Sequence, residues 1–193
     1  MQAYEKAFGR ERVAGFRSDK ILNMRRPDKT EYDPYYEKYV SLVENRDVLD
    51  TLAGQPTMLH DLLTAVPEEK GSFAYAEGKW SVKEVLGHLI DGERMFAYRL
   101  FRISRDDQTP IEGFEQDGYI VNAHSNNRSF ADLLEEFSLL RRANMVLFQN
   151  LDDTAWERVG TANNVRISVR ALVYIMAGHI EHHLGILKER YSL

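Results

Sequence analysis

Three of the six histidines in the sequence fall within five residues, at positions 179, 182 and 183. If this stretch is helical, His179 and His183 lie one turn apart on the same face, where both imidazoles can reach one ion. His182, at a spacing of three, is the competing partner. The surrounding apolar residues place His179 and His183 along the buried face and His182 towards its flank. The spacing therefore favours His179 and His183 as a pair of metal ligands.

A tight divalent site needs more than two imidazoles, so a third ligand is expected from another helix. His88 is the best candidate, because it lies among apolar residues in the middle of a predicted helix, where a neutral histidine needs a partner. His60 and His124 are weaker candidates, since each has a polar setting in which an ordinary solvated side chain is expected. The prediction is a site of His88 together with His179 and His183.

The competing interpretation makes His88 and His183 core residues that are hydrogen-bonded to carboxylates. Histidine spacing alone gives the two interpretations equal weight, because isolated pairs at helical spacing are common. Asp91 lies one turn after His88 and offers a carboxylate that could orient an imidazole or accept a proton from bound water. We therefore expect Asp91 to support the site as a weak, indirect catalytic group.

Composition excludes several other kinds of site. The chain contains no cysteine, which excludes disulfides, thiolate zinc sites, iron–sulfur clusters and a cysteine nucleophile. Any metal must therefore bind to nitrogen and oxygen. With 44% hydrophobic and 28% charged residues, the 193-residue chain can bury a core and is expected to be globular.

Charge and hydropathy bear on partners and location. The 25 basic and 30 acidic side chains give a net charge of −5, which argues against nucleic acid as a partner. The apolar stretches are too short to span a membrane, and a secretory signal is not apparent. We therefore expect a cytoplasmic protein that acts on a small molecule and does not bind membranes or nucleic acid.

The sequence around the candidate ligands carries the start signals of long helices. Ser81 and Glu84 form a predicted capping box, and the apolar stripe that follows reaches Ile103. Ser129 is the predicted cap of another helix, which ends near Asn150. Together with the histidine-rich helix, these two give three predicted long helices.

Other signals complete the set of helices. Ser168 is the predicted cap of the histidine-rich helix, which reaches about Arg190. A short helix is expected after Asp33–Pro34. A longer one is expected over about Val48–Val66, although a glycine and a proline near its start leave the first turns open.

The segments between the helices are predicted to be irregular. Residues 104–128 are rich in Asp, Gly and Asn and are predicted to form a long loop that is a candidate wall or lid over a site. No strand pair is predicted. The expected fold is all-α, a four-helix bundle over residues 24–193, preceded by an N-terminal extension over residues 1–23.

Two motifs give this sequence a family resemblance. The stretches Trp80–Asp91 and Gly178–His183 resemble those of the DinB-like (DinB/YfiT) superfamily of metal-binding four-helix bundles. The resemblance runs from about Arg26 to Tyr191, and the first 23 residues fall outside it. The family pattern implies a divalent ion bound by a histidine of the second main helix and by both histidines of an H-x-x-x-H motif on the last. These positions correspond to His88, His179 and His183.

The resemblance implies zinc or nickel, with iron as a further option, and water completing the coordination. It also implies several activities, because characterised relatives include thiol S-transferases that use bacillithiol or mycothiol and a mycothiol-dependent isomerase. Our leading hypothesis is thiol S-transfer with a low-molecular-weight thiol as cosubstrate. The alternatives are a metal-dependent hydrolase and a non-catalytic metal-binding stress-response protein. A homodimer is a further expectation.

Overall fold

The computed structural model describes residues 25–43 and 47–193. We number the helices and strands of this part of the chain in sequence order. They are α1 (Glu37–Val40), α2 (Val48–Thr64), α3 (Val82–Ser104), α4 (Gln116–Ala123), α5 (Phe130–Gln149), α6 (Asp153–Glu157), β1 (Val159–Ala162), β2 (Val165–Ser168) and α7 (Val169–Tyr191). Short 3-10 turns flank α1 on both sides.

Four long helices, α2, α3, α5 and α7, form the frame of the molecule. Helices α2 and α3 each pack against both α5 and α7, so these four helices enclose one core. The short helix α1 packs on the outside of α7. The predicted all-α four-helix bundle is therefore confirmed. None of the helices in the described residues is both long and apolar enough to cross a membrane.

The predicted caps begin the long helices. The Ser81 hydroxyl accepts from the amide of Glu84 at 3.2 Å, and the Glu84 carboxylate accepts from the amide of Ser81 at 2.7 Å, which completes the capping box at the start of α3. Ser129 and Ser168 cap α5 and α7 in the same way, through the amides three residues on. These bonds satisfy amides that a helix N-terminus would otherwise leave unpaired.

Helix α2 contains Pro56 in its interior and continues through it. A proline has no amide hydrogen, so the carbonyl of Leu52, four residues earlier, loses its helical donor. The guanidinium of Arg141, which is buried on α5, donates to this carbonyl at 2.7 Å. The tertiary contact therefore replaces the missing hydrogen bond and keeps α2 helical.

The core consists of two apolar clusters with a polar layer between them. One cluster lies towards the N-terminal ends of α2 and α7, and the other lies towards their C-terminal ends. In the layer between them, Arg141 makes two 2.8 Å hydrogen bonds to the Glu93 carboxylate and one of 2.9 Å to Gln55. Gln55 in turn donates to the carbonyl of Ala177. This network joins all four long helices at the level of the candidate ligands.

Two features of the fold differ from the sequence prediction. Strands β1 and β2 form an antiparallel hairpin where no strand pair was expected. Its turn residues, Asn163 and Asn164, both have positive φ values, of 52° and 62°, a backbone conformation that asparagine adopts more readily than most residues. The predicted loop over residues 104–128 contains helix α4 and a 3-10 turn. The predicted extension over residues 1–23 lies outside the described residues.

Candidate metal centre

His88 on α3 and His179 and His183 on α7 come together in the structure. Each side chain offers a ring nitrogen, and the three nitrogens lie within 4.8 Å of one another. The Nε2 atoms of His88 and His179 are 2.9 Å apart. The three ring centroids are separated by 4.7 to 4.9 Å. The imidazoles therefore surround one point between α3 and α7.

Burial keeps these imidazoles neutral. It lowers the pKa of His88 to about 4 and that of His183 to about 3, and it holds the pKa of His179 well below the usual value. Desolvation of the charged ring is the main cause in each case, and neighbouring histidines add to it. Neutral imidazole is the form that binds metal ions, so the cluster is ready to coordinate at neutral pH.

The donor set fits a divalent ion better than it fits an ordinary histidine core. Nδ1 of His183 is buried and has no hydrogen-bond partner. Among the described residues, no carboxylate forms a hydrogen bond or ion pair with any of the three rings, although the core interpretation requires such bonds. Three neutral nitrogens without thiolates suit zinc, nickel or iron, whereas calcium and magnesium require oxygen ligands.

Two glycines allow the rings to approach. A Cβ at Gly92 would lie 3.0 Å from Cε1 of His179, so a side chain at position 92 would crowd this ring and require it to shift slightly. A Cβ at Gly178 would lie 2.0 Å from the carbonyl oxygen of Tyr39, so Gly178 allows α1 to pack directly on α7. Tyr39 then places the edge of its ring against His179, at a centroid distance of 5.4 Å.

The other histidines lie apart from the cluster. His182 is half-buried on the flank of α7, where its ring contacts Tyr39 and His183. His60 lies on the outer side of α2, with Nδ1 3.6 Å from the carboxylate of Asp61. His124 is exposed at the end of α4 in a left-handed backbone conformation.

Asp91 is not part of the cluster formed by the three histidines. It lines a surface cleft with residues of α4, and within the described residues no hydrogen bond joins it to any of the three histidines. Partial burial raises the pKa of its carboxyl group. Its supporting role at the metal centre therefore stays a prediction without a direct contact behind it.

A cavity of about 380 Å³ opens beside His88 and His179. Its walls come from the region around α1, from α3, from the segment before α4 and from the hairpin. The lining residues are Asp33, Tyr35, Tyr36, Tyr39, His88, Gly92, Phe96, Arg99, Phe114, Glu115, Gln116, Asn163, Val165 and His179. The segment over residues 104–128 thus supplies part of a wall, as predicted, through Phe114.

The sequence analysis did not single out Arg99, which lines this cavity. Arg99 follows His88 by eleven residues, or about three helical turns, so both lie on nearly the same face of α3. The sequence signal that could have identified Arg99 is its position, because an arginine on the buried apolar stripe of an amphipathic helix is unusual. Asn163 and Val165 carry no such signal, because only the folded hairpin brings them to the cavity.

Comparisons with known proteins agree with this architecture. The model of the DinB superfamily matches residues 51–187. A candidate metal-dependent hydrolase from Oceanobacillus iheyensis is 22% identical over 153 residues, which cover 77% of this chain and 86% of the relative.

Two solved structures share the fold. YfiT from Bacillus subtilis, described as a probable metal-dependent hydrolase with an unusual four-helix bundle topology, superposes with a TM-score of 0.68 at 16% identity, over 89% of this chain and 95% of YfiT. A mycothiol-dependent maleylpyruvate isomerase superposes with a TM-score of 0.59 at 13% identity, over 70% of this chain and 57% of the isomerase.

Proposed function

This chain belongs to the DinB superfamily, and we propose that it is a metal-dependent hydrolase whose ion is held by His88, His179 and His183. The observation that carries the proposal is the convergence of three buried, neutral imidazoles beside an open cavity. A zinc or nickel ion bound there supplies a Lewis acid that lowers the pKa of a coordinated water or thiol towards neutrality. Iron is a further option for the same nitrogen ligands.

The residues of the chain position the ligands and shield them. Trp80 packs against His88 with ring centroids 4.7 Å apart, and Phe96 packs against His179 at 5.6 Å. These contacts restrict the rotation of both rings and keep bulk water away from them. His88 and His179 also line the cavity, so a substrate bound there meets the ligand cluster directly.

The descriptions of two similar proteins favour hydrolysis over thiol transfer. The Oceanobacillus relative is named a metal-dependent hydrolase, and YfiT is described as a probable one. The cavity of about 380 Å³ lies within the range of small-molecule sites, so it suits a small organic substrate.

Thiol S-transfer is the second candidate. The fold similarity to a mycothiol-dependent isomerase supports it, and a cysteine-free chain would need a low-molecular-weight thiol as cosubstrate. A metal-binding stress-response protein without turnover is the third. A small-molecule substrate is common to both enzyme candidates, while a homodimer and a cytoplasmic location stay predictions.

The test is an activity panel on zinc-loaded and nickel-loaded protein. Esters and amides are assayed alone, and an electrophilic acceptor is assayed with and without a thiol, in the wild type, His179→Ala and His60→Ala. We expect hydrolysis by the wild type and by His60→Ala, and background rates for His179→Ala. Turnover only in the presence of a thiol would favour the second candidate. Equal rates for wild type and His179→Ala on every substrate would contradict both enzyme proposals.

A further inference from the structure

Arg99 is a buried cation without a carboxylate partner. The residue is 3% exposed, and its Nε atom is buried with no hydrogen-bond partner. Within the described residues, no carboxylate lies within ion-pair distance of its guanidinium. The buried Arg141 makes a two-bond pair with Glu93 and shows how this fold neutralises a guanidinium that it does not use for binding. An unpaired buried charge is costly, so Arg99 requires another explanation.

The groups around the Arg99 guanidinium are aromatic side chains rather than carboxylates. Its guanidinium carbon lies 6.0 Å from the ring centroid of Phe96 and 5.9 Å from that of Phe114. The charge of Arg99 and a side-chain hydrogen bond from it to Tyr36 oppose the rise in the pKa of the Tyr36 hydroxyl that burial causes. Two aromatic rings thus hold the guanidinium beside Tyr36, and its buried Nε keeps an unused donor for a ligand.

The two carboxylates that line the cavity are engaged elsewhere. Asp33 accepts from the amide of Tyr35 at 2.8 Å and caps the turn before α1. Glu115 accepts from the amide of Gly118 at 3.1 Å and caps α4. Both groups hold local backbone structure, and neither of them neutralises Arg99 by a direct contact.

Arg99 and the ligand cluster share one cavity. Helical side chains lean towards the N-terminus of their helix, so Arg99 leans along α3 towards the His88 end. The ring of Phe96 lies near both the His179 ring and the Arg99 guanidinium, so these two groups are neighbours of one aromatic residue. A small molecule in the cavity can therefore meet the guanidinium at one end and the imidazoles at the other.

We propose that Arg99 is a specificity-determining residue that binds a carboxylate group of the substrate. The idea that the other end of the substrate reacts beside His88 and His179 rests on the proposed function. Carboxylate binding by Arg99 does not rest on it. A monoanion fits better than a phosphate dianion, because Arg99 is the one cationic side chain among the described cavity residues and Asp33 and Glu115 lie on the same walls. The substrate class is thus a small carboxylic acid with an apolar body that packs against Phe96 and Phe114.

The test compares benzoate with benzamide, which has a similar shape but no charge. Calorimetry on the full chain, with and without added zinc, gives the affinity of each probe for the wild type, Arg99→Gln and Arg94→Gln. Arg94 is an exposed arginine on the same helix and serves as the matched control. We expect the wild type and Arg94→Gln to bind benzoate about tenfold or more tightly than benzamide, and Arg99→Gln to lose this preference.

Further arms separate this proposal from the proposed function. His183→Ala removes a candidate ligand that does not line the cavity, so this variant should lose metal yet keep its preference for benzoate, and Arg99→Gln should keep its metal content. A wild type that binds benzoate no more tightly than benzamide would overturn the proposal even if the variant failed to fold. Retention of the preference in folded Arg99→Gln would also overturn it. Tighter binding of inorganic phosphate than of benzoate would overturn the assignment to carboxylates.

Discussion

At the scale of single residues, the partnerless nitrogen of His183 gives the sharpest distinction between a metal ligand and a core histidine. If His183 is a ligand, His183→Ala should lower metal affinity by more than about 100-fold. Removing a group that only hydrogen-bonds to a metal ligand already lowers metal affinity by about 10-fold to 100-fold. His182→Ala is the matched control, because His182 directly precedes His183 in the chain but lies outside the cluster. It should retain metal.

Elemental analysis of the purified proteins measures this directly. We expect about one zinc or nickel per chain in the wild type and in His182→Ala, and little in His183→Ala. Stoichiometric metal in His183→Ala would contradict the ligand assignment. Calcium or magnesium alone in the wild type would contradict an all-imidazole site, because those ions prefer oxygen.

At the scale of helices and strands, two glycines of α7 differ in what surrounds them. A Cβ at Gly178 would meet the backbone of Tyr39 on α1, whereas a Cβ at Gly185 would have no atom within 4 Å. Gly178→Ala should therefore push α1 away and destabilise the fold by about 1–3 kcal/mol or more. Gly185→Ala should stabilise it by about 0.5–1 kcal/mol, because alanine favours a helix interior.

Urea unfolding of both variants in the metal-free state measures these opposite changes in the free energy of unfolding. Comparable stabilities for Gly178→Ala and the wild type would show that α1 can move away at no cost. The same variant should also weaken metal binding, since Tyr39 contacts the ring of His179.

The long elements were predictable because their signals are local. Ser81 and Glu84 lie three residues apart and begin α3 whatever the rest of the chain does. The hairpin was not predicted, because its four-residue strands are too short for alternation to stand out, although Asn163–Asn164 was a usable turn signal. Helix α4 was hidden in a segment of loop-like composition, and its cap is Glu115, which is not among the residue types preferred at that position.

The candidate site was predictable in part for the same reason. His179 and His183 follow helical spacing, and His88 lies among apolar residues of a predicted helix, where a neutral histidine needs a partner; the family resemblance implies the same three residues. The substrate side of the cavity depends on distant segments that meet only in the folded chain, such as Phe114 and Val165. Arg99 was overlooked because charged residues on helices are usually solvated, and its burial depends on packing between elements.

At the scale of the whole molecule, the candidate centre lies where the two apolar clusters of the core meet. The polar layer of Gln55, Glu93 and Arg141 crosses the bundle at the same level as the histidines, and it ties α2, α3 and α5 to α7. The helices are thus held by directional bonds around the site, and apolar packing holds them on either side. This arrangement fixes the separation of α3 and α7, on which the approach of the three imidazoles depends.

The buried cluster also makes the stability of the metal-free protein depend on pH. Folding lowers the pKa of His88 to about 4 and that of His183 to about 3, while an unfolded histidine titrates near 6.5. As pH falls below about 6.5, the unfolded chain takes up protons that the folded chain excludes, so the free energy of unfolding decreases. Each such histidine should contribute up to about 1.4 kcal/mol per pH unit until its folded pKa is reached.

Urea unfolding of chelator-treated protein between pH 6.5 and 5 measures this slope before most carboxylates titrate. His183→Gln should flatten the slope by one histidine's contribution, because glutamine does not titrate. Parallel slopes for the wild type and His183→Gln would mean that the folded protein accepts a proton at this ring. The cluster would then lack the neutral, desolvated imidazoles that metal binding at neutral pH requires.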